Sequence, residues 1–347
     1  MSLLESSMSE HLNREIHLES RPVGLPQESN FKLVEVEVSA PADGEILVKN
    51  LYMSVDPYMR GRMLDRKSYV PPFQVGAVMQ GGAIGEVVES SNEQFPVGTH
   101  VGSINGWREY FVSDGAGLQK VDGSLAPLSA YLGVLGMPGL TAYIGLKDIG
   151  KPEPGQTVFV SGAAGAVGSV ACQIAKAMGC RVVGSAGSQE KVDWLQNELG
   201  VDVALNYKTV DNLRSALLEA CPDGIDVYFD NVGGDHLTAA IWGMNDRGRI
   251  IACGSISTYN DTEPPPGPNN LFQIVTKRLR WQGFIVSDHP DRAPAFAKEM
   301  GGWIADGKVV WRETVHEGIE NAPQAFLGLF AGGNMGKMVV RLAPGDS

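Results

Sequence analysis

The stretch Val158-Phe-Val-Ser-Gly-Ala-Ala-Gly-Ala-Val-Gly-Ser-Val-Ala-Cys-Gln-Ile-Ala-Lys176 decides the fold. It opens on Val158, Phe159 and Val160, a continuous apolar run of the kind found in a parallel-sheet strand covered on both faces. From Gly162 to Gly168 no side chain is larger than valine, and Val167, Val170, Ala171, Ile174, Ala175 and Met178 then recur at helical spacing. Strand, small-residue turn and helix is the context that a dinucleotide fingerprint requires. A pyrophosphate must approach the backbone N–H groups and the positive end of the helix, and Cβ atoms would block it. The pattern departs from G-x-G-x-x-G. Ala163 holds the first glycine position, Gly165 and Gly168 fill the second and third, and Gly162 is left to ease the turn.

The alternation of strand and helix continues downstream. Strands are expected at 181–185, 202–206, 225–229, 249–253 and 279–286, with helices at 188–199 (closed by Gly200) and 211–220. Six strands with intervening helices describe an α/β domain with a doubly wound parallel sheet. Between the last two lies Glu263-Pro-Pro-Pro-Gly-Pro-Asn-Asn270, a stiff loop that reads equally as a surface connector or a pocket rim. Upstream, residues 13–132 read as β-rich. Phe31–Val38 alternates at period two, and short strands with Gly/Pro turns follow at 45–52, 81–88, 98–102 and 107–112, as in a twisted barrel or sandwich. After the sheet come helices at 293–306 and 320–330 and a strand at 336–341, which needs a partner sheet and so returns to the first domain. The expected domains are residues 1–133 with 313–347, and 134–312.

The chain has 347 residues, enough for two domains, and its 43% hydrophobic and 20% charged residues are an ordinary soluble composition. A net charge of −12 argues against a nucleic-acid partner, which would want a basic stripe. No apolar run approaches the roughly 18 residues that span a bilayer, so no membrane partner is expected. The polar, acidic start is no secretory signal, its first ten residues read as loosely ordered, and the cytoplasm is the expected compartment. Cys172, Cys180, Cys221 and Cys253 are scattered without a C-x-x-C pair, which argues against a disulfide framework or zinc knuckle.

A site that prefers NAD carries Asp or Glu at the end of the second strand, to hold the ribose 2′-OH. Here that place reads Gly184-Ser-Ala-Gly-Ser188, with no carboxylate, two hydroxyls and Lys191 close behind; Tyr207 and Lys208 close the third strand. A small polar loop beside lysine admits a 2′-phosphate, so NADP(H) is expected over NAD(H).

The order of a β-rich domain, an inserted Rossmann domain and a return to the first resembles the medium-chain dehydrogenase/reductase superfamily. More narrowly it resembles the zinc-independent branch of prostaglandin reductases and leukotriene hydroxydehydrogenases, and most nearly the bacterial NADPH-dependent curcumin reductases. The resemblance covers nearly the whole chain. It rests on Tyr52-Met-Ser-Val-Asp-Pro-Tyr-Met-Arg-Gly-Arg-Met63, Gly136-Met-Pro-Gly-Leu-Thr-Ala-Tyr143, Gly165-Ala-Val-Gly168, Asp230-Asn-Val-Gly-Gly234, Cys253-Gly-Ser-Ile-Ser-Thr-Tyr-Asn260 and Gly333-Asn-Met-Gly-Lys337.

The resemblance implies a GroES-like catalytic domain beside the Rossmann domain, and a homodimer. It implies that Gly165, Ala166, Val167 and Gly168 bind the pyrophosphate and that Lys191 and Tyr207 hold the 2′-phosphate. Asn231, Cys253, Ser255, Tyr259, Phe284, Ile285, Val286 and Asn334 would complete the cofactor site. Zinc-dependent relatives use Cys and His-Glu ligands in the first domain. This chain has no cysteine before Cys172, reads Met79-Gln-Gly-Gly82 where the His-Glu pair would fall, and keeps a lone His100, which reads as a turn residue. No metal is therefore expected.

A site without zinc suits an activated double bond. The expected reaction is hydride transfer from NADPH to the β-carbon of a small apolar α,β-unsaturated ketone or aldehyde, with charge developing on the carbonyl oxygen as an enolate. Hydrogen-bond donors aimed at that oxygen supply the main catalytic term. Tyr259 and Tyr69 are the candidate donors, each a phenol protonated at neutral pH. An NADPH quinone reductase and a non-catalytic NADPH-binding protein are the alternatives.

Overall fold

The computed structural model describes residues 8–343, and the chain divides into two units. One holds the residues before Gly133, Thr314–Gly333 and those from Met338 on; the other holds Gly133–Glu313 and Asn334–Lys337. The expected looseness of the first ten residues falls outside the described residues for 1–7, and Met8 already begins a strand.

The chain opens with β1 (Met8–Leu18), β2 (Phe31–Ser39), β3 (Ile46–Ser54), a short helix α1 (Met59–Arg62), β4 (Ala83–Ser90), β5 (His100–Ser103), β6 (Tyr110–Ser113) and β7 (Gln119–Lys120). There follow α2 (Met137–Ile144), β8 (Thr157–Val160), α3 (Ala166–Ala177), β9 (Arg181–Ala186), α4 (Gln189–Asn197), β10 (Val203–Asn206), α5 (Leu213–Ala220) and β11 (Ile225–Asp230). Next come α6 (Gly234–Gly243), β12 (Met244–Ala252), α7 (Phe272–Thr276), β13 (Arg280–Gly283) and α8 (Ala293–Ala305), and last β14 (Glu313–Glu317), α9 (Ala322–Ala331) and β15 (Lys337–Arg341).

The first unit is built on a sheet of order β14-β15-β3-β4-β5-β7, with β6 also paired to β3. The terminal strand finds its partner there, since β15 runs antiparallel to β3. The core gathers Phe31, Trp107 and Phe326. The first two rings stack at 6.0 Å and Phe326 meets both edge-on. Strand β1, too polar to be foreseen, pairs antiparallel with β2. Its buried Asn13 accepts from the backbone N–H groups of Glu109 and Tyr110, so its polar groups are satisfied inside. His100 lies on β5 opposite Glu86, which corrects its reading as a turn residue.

In the second unit, six strands run parallel in the order β10-β9-β8-β11-β12-β13. In chain-order terms this is 3-2-1-4-5-6, with the reversal between β8 and β11, where open sheets bind nucleotides outside the strands' carboxyl ends. Every residue of β8 is buried, and the Phe159 and Tyr228 rings of neighbouring strands stack at 5.0 Å. Ser188 and Asn212 accept from backbone N–H groups as N-caps of α4 and α5, which fixes where those helices start. In this sheet the largest departures from the expected strand ends are in β12 and β13. β12 begins at Met244, opposite Ile225, and β13 stops at Gly283, after which Val286–Asp288 form a single 3-10 turn. The proline loop is an exposed connector through Gly267, and Asn270 ties its end to the carbonyl of Thr238 at 3.0 Å.

Candidate nucleotide-binding and catalytic site

The fingerprint turn is shaped by two glycines. Gly162 leaves β8 with a φ of +59°, so it takes up the turn that Ala163 cannot. Gly168 sits in the first turn of α3, where a Cβ would overlap the carbonyl oxygen of Gly162. Helix α3 can therefore start hard against the strand. Its N-cap, Gly165, brings no side-chain acceptor, so the first N–H groups are left to meet an anion. This arrangement fits a pyrophosphate. The segment after α9 reaches the same turn. Gly336 N–H donates to Ala164 at 2.8 Å, Gly165 and Gly336 form a parallel bridge, and Asn334 donates to the Gly336 carbonyl at 2.9 Å.

The loop after β11 borders the turn. Asn231 donates its side-chain amide to the Ser161 carbonyl at 2.8 Å, and its backbone N–H donates to Ser161 Oγ at 3.1 Å. Asp230, buried at the strand end, accepts from the Tyr228 phenol and from the N–H groups of Val232 and Gly233. Burial raises its carboxyl above the ordinary value, although those donors pull the other way. The loop after β12 hangs on this one. Cys253 and Gly254 donate to the Asp230 carbonyl, Ile256 to that of Asn231 and Ser257 to that of Val232. Ser255 and Thr258 share a hydroxyl hydrogen bond at 3.0 Å.

Tyr259 closes this loop. Its phenol oxygen accepts from Ser255 N–H at 3.3 Å, so its own proton stays available for donation. Burial raises the phenol above its usual value. Desolvation also pushes the Cys253 thiol up to about 12, so it remains a thiol and has no thiolate chemistry at neutral pH.

At the other side of the switch point, Gly187 and Ser188 follow β9, and Tyr207 follows β10. The Lys191 ammonium is depressed by burial and by the charge of Lys208. The two hydroxyls expected to greet a phosphate behave differently. Ser185 is wholly buried, and Ser188 is occupied as the cap of α4. Lys191 and Lys208 are the cations beside this loop.

Gly165 to Gly168, Lys191, Tyr207, Asn231, Cys253, Ser255, Tyr259 and the half-buried Phe284, Ile285 and Val286 thus follow the carboxyl ends of six parallel strands, and Asn334 joins them through the Gly336–Ala164 hydrogen bond. Tyr69 is not part of this set. It stands on the first unit, 60% exposed, near Tyr58 and Arg62. Ser161, Tyr228 and His236 carry no sequence signal of their own, and Asp230 enters from sequence only as the first residue of Asp230-Asn-Val-Gly-Gly234, with no role attached. Its place at a strand end, after the buried run Val227-Tyr-Phe229, is the signal for a structural role.

Residues 14–121 match a family model described as the N-terminal domain of oxidoreductase, and residues 166–301 one described as zinc-binding dehydrogenase. The chain is 46% identical to the NADPH-dependent curcumin reductase of Escherichia coli, over 96% of this chain and 98% of that protein. It is 44% identical to the NADP-dependent 2-alkenal reductase of Nicotiana tabacum, over 95% and 98%. This chain belongs to the medium-chain dehydrogenase/reductase family, in its zinc-independent branch. Among solved structures, CurA of Vibrio vulnificus in complex with NADPH superposes on this family member with a TM-score of 0.91, at 44% identity, over 96% of this chain and all of that one. Among the described residues, no three His, Cys, Asp or Glu side chains stand close enough to hold a metal ion.

Proposed function

We propose that this reductase binds NADPH at the carboxyl ends of the β8–β13 sheet and reduces the carbon–carbon double bond of α,β-unsaturated ketones and aldehydes. Its 46% identity to an NADPH-dependent curcumin reductase supports this, as does the placement of Lys191, Tyr207, Asn231 and Tyr259 after the carboxyl ends of β9, β10, β11 and β12. The observation that carries the chemistry is Tyr259. Its oxygen is held by a backbone donor, and its proton is kept by burial.

When bound, NADPH supplies the hydride that adds to the β-carbon of the substrate. The chain's residues do the rest. The first N–H groups of α3 hold the pyrophosphate, with Gly165 and Gly168 leaving room for it. Lys191 and Tyr207 hold the adenosine phosphate. Asn231, Cys253, Ser255, Phe284, Ile285, Val286 and Asn334 shape the nicotinamide half. Tyr259 donates to the carbonyl oxygen as charge develops on it, in the manner of an oxyanion hole. The α-carbon is protonated afterwards. No step in this scheme uses a metal.

The test is a panel of enones, alkenals, quinones and simple alcohols with NADPH or NADP, followed by nicotinamide absorbance. Enones and alkenals should be turned over fastest, and chelator should leave the rate unchanged. Preferential turnover of quinones, oxidation of alcohols, or tight NADPH binding without turnover would each replace this reading. We also place the protein in the cytoplasm as a homodimer. The edge strand β13 exposes Trp281, and nearby α7 exposes Phe272 and Val275. Sedimentation should give twice the chain mass for the wild type and a lower mass for Trp281→Glu.

A further inference from the structure

Tyr207 is the first residue past β10, and its backbone N–H donates to the Ala186 carbonyl at 3.1 Å, beside the end of β9. That bond fixes the Cα but not the ring, which is 37% exposed. The ring packs edge-on against the imidazole of His236, with centroids 4.9 Å apart and planes at 79°. His236 comes from a different element, the first turn of α6, and is only 5% exposed. Its Nε2 is buried without a hydrogen-bond partner. The position therefore supplies a ring shape, not a hydrogen bond at that atom, and a phenylalanine would serve as well.

The phenol of Tyr207 ends over Gly187. A Cβ there would lie 3.0 Å from Tyr207 Oη and 3.3 Å from Lys208 Cε. Gly187 directly follows β9, the place from which an acidic side chain holds the ribose 2′-OH in NAD-preferring sites. With Tyr207 in this orientation, a side chain at 187 crowds the phenol, and the Tyr207 and Lys208 side chains must give by a few tenths of an ångström to admit it. The two cofactor preferences thus compete for the same space, as well as by charge.

We infer that His236 is a positioning residue for cofactor discrimination: its ring holds the Tyr207 phenol over Gly187, which keeps the adenosine-phosphate site formed and the acid position crowded. The inference rests on the proposed placement of that phosphate at Lys191 and Tyr207. It concerns a residue that does not itself touch the ligand.

The experiment measures binding of 2′,5′-ADP and of 5′-AMP to the intact protein by calorimetry, together with KM for NADPH and NADH. Four variants are compared with wild type: His236→Ala, His236→Phe, Lys191→Ala and Gly187→Asp. His236→Ala should weaken 2′,5′-ADP about three- to tenfold, the range of one aromatic pair, and 5′-AMP by less than about twofold. His236→Phe should restore the difference. Gly187→Asp should reproduce the loss. If His236→Ala does not fold, His236→Leu, which keeps bulk without an aromatic edge, takes its place with the same expectation. Equal weakening of both ligands, or an unchanged ratio, overturns the role of His236. Should Lys191→Ala also leave the ratio unchanged, the phosphate lies elsewhere, and the inference falls with that placement. A collapse with Lys191→Ala alone overturns the His236 role while leaving the site intact.

Discussion

The Tyr228 phenol donates to the Asp230 carboxylate at 2.7 Å, two residues along the same face of β11. That carboxylate is also the acceptor for Val232 and Gly233 N–H, and the loop from Cys253 to Ser257 is hydrogen-bonded to the backbone of residues 230–232. A single buried acid thus organises two loops of the nucleotide site. Asp230→Ala leaves these donors buried without an acceptor and should cost on the order of 3 kcal/mol, with weaker NADPH binding. Asp230→Asn keeps an acceptor oxygen and should cost less. Thermal unfolding with NADPH titration checks both. Equal effects of the two substitutions would show that the side-chain acceptor does not organise the loops.

Gly168→Ala adds only a methyl group, yet that methyl collides with backbone, the Gly162 carbonyl oxygen and Ala163 Cα. Neither is the free end of a side chain, so α3 must move off the turn. NADPH affinity should fall by at least about tenfold, while Gly61→Ala, where a Cβ meets nothing within 4 Å, should leave it unchanged. Fluorescence titration of NADPH compares the two.

Tyr259→Phe removes the proposed donor to the enolate oxygen and keeps the ring. Turnover of an enone should drop about a hundredfold, as for loss of one oxyanion-hole donor, with little change in NADPH affinity. Burial raises the phenol above its usual value, so the wild-type rate should show no alkaline limb from this group at or below pH 9. Stopped-flow measurement of the hydride step across pH reads both effects, and unchanged turnover in the variant would remove Tyr259 from the mechanism.

What could be read from the sequence follows physical lines. β8 was legible because a strand covered on both faces is continuously apolar, and α3 because its apolar face repeats at helical spacing. The missing acid was legible because it is a matter of residue type at a fixed offset. β1 was not, because its polar residues are satisfied by partners nearly a hundred positions away, Asn13 by the backbone at Glu109 and Arg14 by the Glu109 side chain. Spacing does not show which way a strand residue faces, and here the alternation turns the Ser185 hydroxyl inward. The Tyr207–His236 contact joins β10 to α6 only through the strand order, which no local pattern encodes.

His236 also makes the fold sensitive to acid. Burial lowers its imidazole from 6.5 to about 4, with the neighbouring Asp235 opposing the shift and Tyr207 packed against the ring. The unfolded chain takes up a proton near pH 6.5, whereas the folded chain resists until about pH 4. The stability contributed by the neutral ring is thus fully present above pH 6.5 and is lost as pH falls toward 4, since the unfolded state binds more protons in that window. At about 1.4 kcal/mol per pH unit, roughly 2 kcal/mol is lost by pH 5. His236→Phe keeps the packing and cannot titrate. Its unfolding midpoint should therefore gain on wild type between pH 7.5 and 5, by several degrees at the lower pH. A constant difference between the two proteins across this range would mean that His236 titrates alike in the folded and unfolded chain, and that burial does not hold its ring neutral.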